Sequence, residues 1–192
     1  MDIGNILEVA NSNDWRAWLA KHHQTETEIW LVFYKKGSGK PRISYNEAVM
    51  EALSYGWIDS IVKYLDRERF VQRFSKRKKT SGLSQMNKER IRTLIRQKKM
   101  TKAGLAAVAH VFDPETDNAE EFIIPPDILQ ALQENKQAWT NFQQFPEAYK
   151  RIRVAYIASR KRHGQEQFQT SLKHFVQMSA RNKRIGFVKE IK

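Results

Sequence analysis

Trp15, Trp18 and Leu19 recur at helical spacing behind Ser12-Asn13-Asp14, whose side chains suit an N-cap, and predict a short helix. Ile29-Trp30-Leu31-Val32-Phe33-Tyr34 then runs without a polar break, the pattern of a strand buried on both faces, and Gly37–Pro41 reads as a loop. Ser44-Tyr45-Asn46-Glu47 has the form of a capping box, followed by Ala48, Val49, Ala52 and Leu53 on one stripe, with Gly56 placed to end the helix. Trp57–Leu65 and Phe70–Ser75 predict an antiparallel hairpin about Asp66-Arg67-Glu68-Arg69.

After a polar loop, Ser84 caps a predicted helix reaching Gln97, with Ile91, Leu94 and Ile95 inward and Lys88, Arg92, Arg96 and Lys99 facing water. Thr101 starts another, with Leu105, Val108, Ala109 and Phe112 inward. The acidic, turn-rich stretch 113–126 reads as a linker closed by Pro125-Pro126. Beyond it, helices are predicted over Asp127–Asn135, from Pro146 with Tyr149, Ile152, Tyr156 and Ile157 inward, and over Gln165–Arg181 with Phe168, Leu172, Phe175 and Val176 on one face. The last two form a helical hairpin whose aromatic stripe needs cover, expected from the first domain.

The fold class is α+β: a small antiparallel or mixed sheet flanked by helices over residues 1–112, the linker, and a helical segment over 127–192. With 192 residues and 41% hydrophobic content, the chain is long enough to bury a core. The absence of cysteine removes thiol nucleophiles, disulfides and thiolate metal sites, and fits a reducing cytoplasm. No segment reaches the ~20 consecutive apolar residues that spanning a bilayer requires.

Charge sharpens the picture. The chain carries a net +13, and between residues 61 and 102 fifteen basic side chains face three acidic ones, a local net charge of +12. Such a field attracts phosphates, carboxylates, nucleic acid or acidic protein surfaces. Arg73, Arg77 and Lys78 for charge, Ser81, Ser84 and Asn87 for hydrogen bonds, and the free amides opening the Ser84 helix make a candidate anion pocket, with Lys63 and Trp57 at its margin. Lys76-Arg77-Lys78-Lys79 is a run that no core is expected to accept.

Asp59 follows Trp57 in an apolar setting and needs a partner, for which Lys63 or Arg73 is in reach; alone, it is the weak candidate for an acid/base role. Trp57, Tyr64, Phe70 and Phe74 interleave with cations in the manner of a single-stranded nucleic-acid platform. His22, His23, His110, His163 and His174 are scattered without metal-ligand spacing, and no cofactor motif is present.

Glu51-Ala52-Leu53-Ser54-Tyr55-Gly56-Trp57-Ile58-Asp59-Ser60, then Gln72-Arg73-Phe74-Ser75, Arg77-Lys78, Ser81, Ser84, Asn87 and Arg90, resemble the signature of the YdeI/OmpD-associated proteins, a family named for bacteriocin protection. The stretch from Pro126 onward resembles that family's helical C-terminal segment, while Lys76 and Leu83 stand where it usually has proline and tryptophan. The resemblance implies a bacterial protein tied to stress or antimicrobial-peptide tolerance, and it brings no agreed catalytic residues. Together these expectations describe a non-enzymatic cytoplasmic protective protein binding an anionic small molecule or acidic partner surface at the hairpin end. Two alternatives use the same residues: a nucleic-acid-binding protein working through the basic ribbon and helix 84–98, and an enzyme on a small anionic substrate with Asp59 as acid/base.

Overall fold

In a computed structural model of the chain, which describes residues 2–117 and 122–186 and of Lys36 only the backbone, Asn11 opens the first helix. Its Oδ1 accepts from the Asn13 and Asp14 amides at 2.9 and 3.1 Å, so the cap lies one residue before the expected Ser12-Asn13-Asp14. The chain divides into two compact units, Met1–Asn118 and Ala119–Lys192. Residues 118–121 of the expected linker lie outside the described residues.

The first unit runs β1 (Ile6–Leu7), α1 (Ser12–His22), β2 (Glu28–Tyr34), a 3-10 turn at Lys36–Ser38, α2 (Tyr45–Ser54), β3 (Trp57–Tyr64), β4 (Arg69–Lys76), α3 (Gln85–Arg96) and α4 (Lys102–Val108). The strands form a mixed sheet in the order β1-β2-β4-β3, parallel only between β1 and β2. The predicted hairpin is β3 and β4, paired Trp57 to Lys76 and Tyr64 to Phe70 with an irregularity between Asp59 and Val62. The predicted buried strand β2 is central, with Trp30 opposite Arg73 and Phe33 opposite Phe70.

Alternation along the strands assigns two faces. Ile29, Leu31, Phe33, Trp57 and Phe74 join Trp15, Leu19, Ala48, Val49, Ala52, Leu53 and Leu94 in one core under the helices. Trp30, Val32 and Val71 point the other way and pack with Ile3, Tyr34 and Leu65. At roughly 1.5–3 kcal/mol for each fully buried large apolar side chain, the helix-covered face carries most of this unit's apolar stabilisation.

The capping box forms as predicted: Ser44 accepts from the Glu47 amide and the Glu47 carboxylate accepts from the Ser44 amide. Gly56 follows α2 at φ 76°, in the left-handed region. Thr101 caps α4 and also serves α2, donating from its hydroxyl to the Ser54 carbonyl at 2.6 Å and from its amide to the same oxygen at 3.1 Å. Of the stripe expected on α4, Val108 and Phe112 are buried, but Ala109 is exposed because the helix ends before it.

The second unit contains α5 (Pro126–Glu134), α6 (Lys136–Gln144), α7 (Glu147–Ser159), a 3-10 turn at Arg160–His163 and α8 (Gln165–Ala180). The expected α7–α8 pair is joined by α6, capped by Asn135 onto the Ala138 amide, a helix the hydrophobic pattern did not single out. Its Phe142 meets Phe175 of α8 edge-on at 5.9 Å, and Phe145 meets Tyr149 of α7 at 5.3 Å. The aromatic stripe expected to need cover from the first domain is therefore covered within its own unit. Tyr156, expected inward, is 46% exposed.

Candidate functional site

The loop from β4 to α3 is shaped by a cation turned inward. Arg77 is only 8% exposed, against the expectation that the whole basic run is surface. Its amide donates to the Gly56 carbonyl at 2.9 Å, and its Nη2 donates to the carbonyls of Ser81, at 3.1 Å, and Gly82. Nε and Nη1 are buried and have no hydrogen-bond partner among the described residues, and burial pulls the guanidinium's pKa down from its ordinary value. A planar fork suits this clamp because one side chain can gather successive carbonyls. Ser81 contributes its carbonyl to that clamp.

With Arg77 folded under the loop, its neighbours turn outward. Lys78 and Lys79 are exposed and make no ion pair among the described residues, while the Lys76 ammonium donates to the Gln24 carbonyl at 2.6 Å. Ser84 opens α3 as predicted, its Oγ accepting from the Asn87 amide at 3.3 Å.

Arg73, Lys63 and Trp57 do not join this loop in one hollow. Arg73 lies on the sheet face away from the helices, donates through Nε at 3.0 Å and through Nη2 to Glu28, and reaches Ser60 Oγ at 3.3 Å. The Arg73 hydrogen bond holds the Glu28 carboxyl below its usual pKa. Lys63 places its ammonium 5.5 Å from the Trp30 ring, on the same face. Trp57 is 1% exposed, with its Nε1 donating to the His23 carbonyl at 3.3 Å. Strand alternation separates these groups: one residue's offset sends Arg73 and Phe74 to opposite sides.

α3 also departs from the expected solvent-facing cations. Lys88 bonds Asp117 at 2.6 Å, and Arg92 bonds Glu89 at 2.5 Å and the Asp117 carbonyl, so only Arg96 and Lys99 of the four are exposed. Asp113 and Asp117, placed in the linker by their composition, close a turn in which the Asp113 amide donates to the Asp117 carboxylate at 2.8 Å. Burial works against the Asp117 carboxylate, but the Lys88 and Asp113 hydrogen bonds and the Lys88 and Arg92 charges outweigh it and lower its pKa.

A second polar cluster gathers where the first turns of α2 and α3 meet β3. The Tyr45 hydroxyl donates to Asp59 Oδ2 at 2.7 Å, a partner different from the expected Lys63 or Arg73. Arg90 donates from Nε and Nη2 to Asn46 Oδ1 at 3.1 and 2.9 Å and from Nη1 to Asn87 Oδ1 at 2.9 Å. Burial, then the Asp59 hydrogen bond and charge, push the Tyr45 phenol up to about 12. Burial lowers the Arg90 pKa while the Tyr45 and Asp59 charges oppose it. Of these residues the sequence reading used Asp59 and Asn87 as candidates; Arg90 stood only in the family signature, although its position one turn after Asn87 puts the two on one helix face.

Residues 7–107 match the family described as a domain of unknown function (DUF8412), a span of more than half the chain. The chain belongs to this family. Residues 121–182 match a second family, described as bacteriocin-protection, YdeI or OmpD-associated, which supports the resemblance through the C-terminal part. No curated protein and no solved structure matches the chain.

The loop at Arg77 and the cluster at Arg90 both fall inside the DUF8412 region. In the YdeI/OmpD-associated region, Arg153 and Arg160 flank Tyr156 at 4.7 and 5.9 Å from its ring, and Arg153 is buried against Phe175 as well. Stacked guanidinium groups of this kind hold a helix surface together. Among the described residues no helix is long and apolar enough to cross a membrane, and no group of three or more His, Cys, Asp or Glu side chains is arranged to hold a metal ion.

Proposed function

We propose that this member of the DUF8412 family is a non-enzymatic protective protein of the bacteriocin-protection type, binding an anionic ligand or acidic partner through the loop between β4 and α3. The observation that carries the reading is the Arg77 clamp: one buried cation fixes the loop on its own carbonyls, and Lys78 and Lys79 are left outside without carboxylate partners among the described residues. Preset cations lose less freedom on binding than cations on a floppy loop, and the field of the +12 segment draws anions toward them. The opening amides of α3, behind Ser84, add partial positive charge beside the loop.

In this reading Arg77 organises the loop and Arg73, held by Glu28, takes no part in binding. Binding of a fluorescent oligoglutamate at low salt tests the division of roles. Arg77→Ala is expected to weaken it by about tenfold, the scale of losing charge-assisted contacts and their preorganisation, and Arg73→Ala to leave it nearly unchanged. Equal losses in both variants would assign the effect to overall charge, and the site would be wrong. Of the four aromatics in the nucleic-acid alternative, Trp57 and Phe74 are core residues, while Tyr64 is 74% exposed.

A further inference from the structure

Tyr45 and Asn46, neighbours in the first turn of α2, bond Asp59 and Arg90 respectively, and no ion pair joins these two opposite charges. Each is held back by a neutral partner. Tyr45 occupies one oxygen of Asp59, and the other, Oδ1, has no hydrogen-bond partner among the described residues. Asn46 and Asn87 hold the Arg90 guanidinium with amide oxygens, which orient it without cancelling its charge. Asn46 belongs to the first turn of α2 and Asn87 to the first turn of α3, so two helix N-termini add positive potential beside the same guanidinium. Tyr45 is 44% exposed and Asn46 is exposed, so the cluster opens to solvent.

A group bridging Asp59 and Arg90 must accept from the guanidinium and donate to the carboxylate. Chloride, sulfate or a bare carboxylate such as acetate satisfies only the first demand, and an amine only the second. We propose that this cluster is a binding site for a small carboxylate that also carries a hydroxyl or ammonium donor, the carboxylate on Arg90 and the donor on Asp59 Oδ1. Asn46 and Asn87 are positioning residues for the guanidinium, and Tyr45 is one for Asp59. The inference is independent of the loop reading, because Lys78 and Lys79 contribute nothing to it.

Glycine, glycolate and acetate are the probes, titrated into the full chain while the side-chain NMR signals of Arg90, Asn46 and Asn87 are followed. Glycine and glycolate are expected to bind about tenfold more tightly than acetate, the scale of one charge-assisted hydrogen bond. Asp59→Asn is expected to erase that preference while acetate binds at least as well as before, since the repelling carboxylate is gone. Arg90→Gln, checked for a folded amide spectrum, is expected to abolish binding of all three, and Lys173→Ala, at an exposed position of the other unit, to change none. Absence of saturable shifts, equal affinity for acetate, or a preference that survives Asp59→Asn in the folded protein would each overturn the proposal.

Discussion

Gly56 joins α2 to β3 at a φ that side chains other than glycine rarely adopt, and a Cβ built there falls 2.6 Å from the Ala107 Cβ and 3.2 Å from the Ala103 carbonyl. Left-handed backbone costs an L-residue roughly 1–2 kcal/mol before any clash is counted. Gly56→Ala is therefore expected to lower the unfolding free energy by about 2 kcal/mol or more, read as a shifted denaturant midpoint; an unchanged midpoint would mean that α4 yields freely. Gly104 is limited by space alone, its added Cβ meeting the Ser54 carbonyl oxygen at 2.3 Å, so Gly104→Ala must displace α4 from the end of α2. Single residues thus hold the geometry that sets up the candidate site: Gly56 offers its carbonyl to the Arg77 amide, and Arg77 draws the loop onto itself.

At the scale of elements, α3 is tied down by charges where it leaves the loop. Lys88 and Arg92 converge on Asp117, whose side chain is 8% exposed, and removing one partner of such a buried set costs about 3–5 kcal/mol. Because Asp117's folded-state pKa lies below its unfolded value, its contribution is fully present above the ordinary carboxylate range, about 3.9 in model peptides, and is lost as pH falls through the lowered value. Asp117→Asn is expected to be less stable at neutral pH and to show a shallower loss of stability on acidification. Parallel acid limbs in urea unfolding series would remove Asp117 from the account.

The same elements show what the residues disclose and what they withhold. Periodicity and capping grammar located β2, α2, the β3–β4 hairpin and α3, because each depends on side chains within a few positions of one another. α6 escaped notice since its buried residues, Ala138 and Phe142, make a thin stripe that Phe175 of α8 helps to complete. Cations were legible as charge and illegible as partners. Arg77, Lys78 and Arg92 look alike in sequence, yet one is buried on carbonyls, one is exposed and one is bound to Asp117 through folding at a distance. Tyr45 meeting Asp59, fourteen positions away, needed the sheet and α2 to be placed first.

Across the whole molecule, charge is divided by role. Arg73, Lys88 and Arg92 are held by acidic side chains, Arg77 and Arg90 by neutral oxygens, and Lys78 and Lys79 by nothing among the described residues. The first group stabilises; in the second, Arg77 shapes its loop while Arg90 keeps the charge on which the proposed carboxylate site depends; the third is exposed. Exposed charges are screened over a Debye length of about 8 Å at physiological ionic strength, so the binding proposed for the loop is expected to weaken as salt rises. The most direct test is the affinity for oligoglutamate as a function of salt, in the intact chain and in Lys78→Ala/Lys79→Ala. The account predicts a steep decline with salt in the first and a weaker, flatter dependence in the double variant; identical slopes and affinities in the two would contradict it.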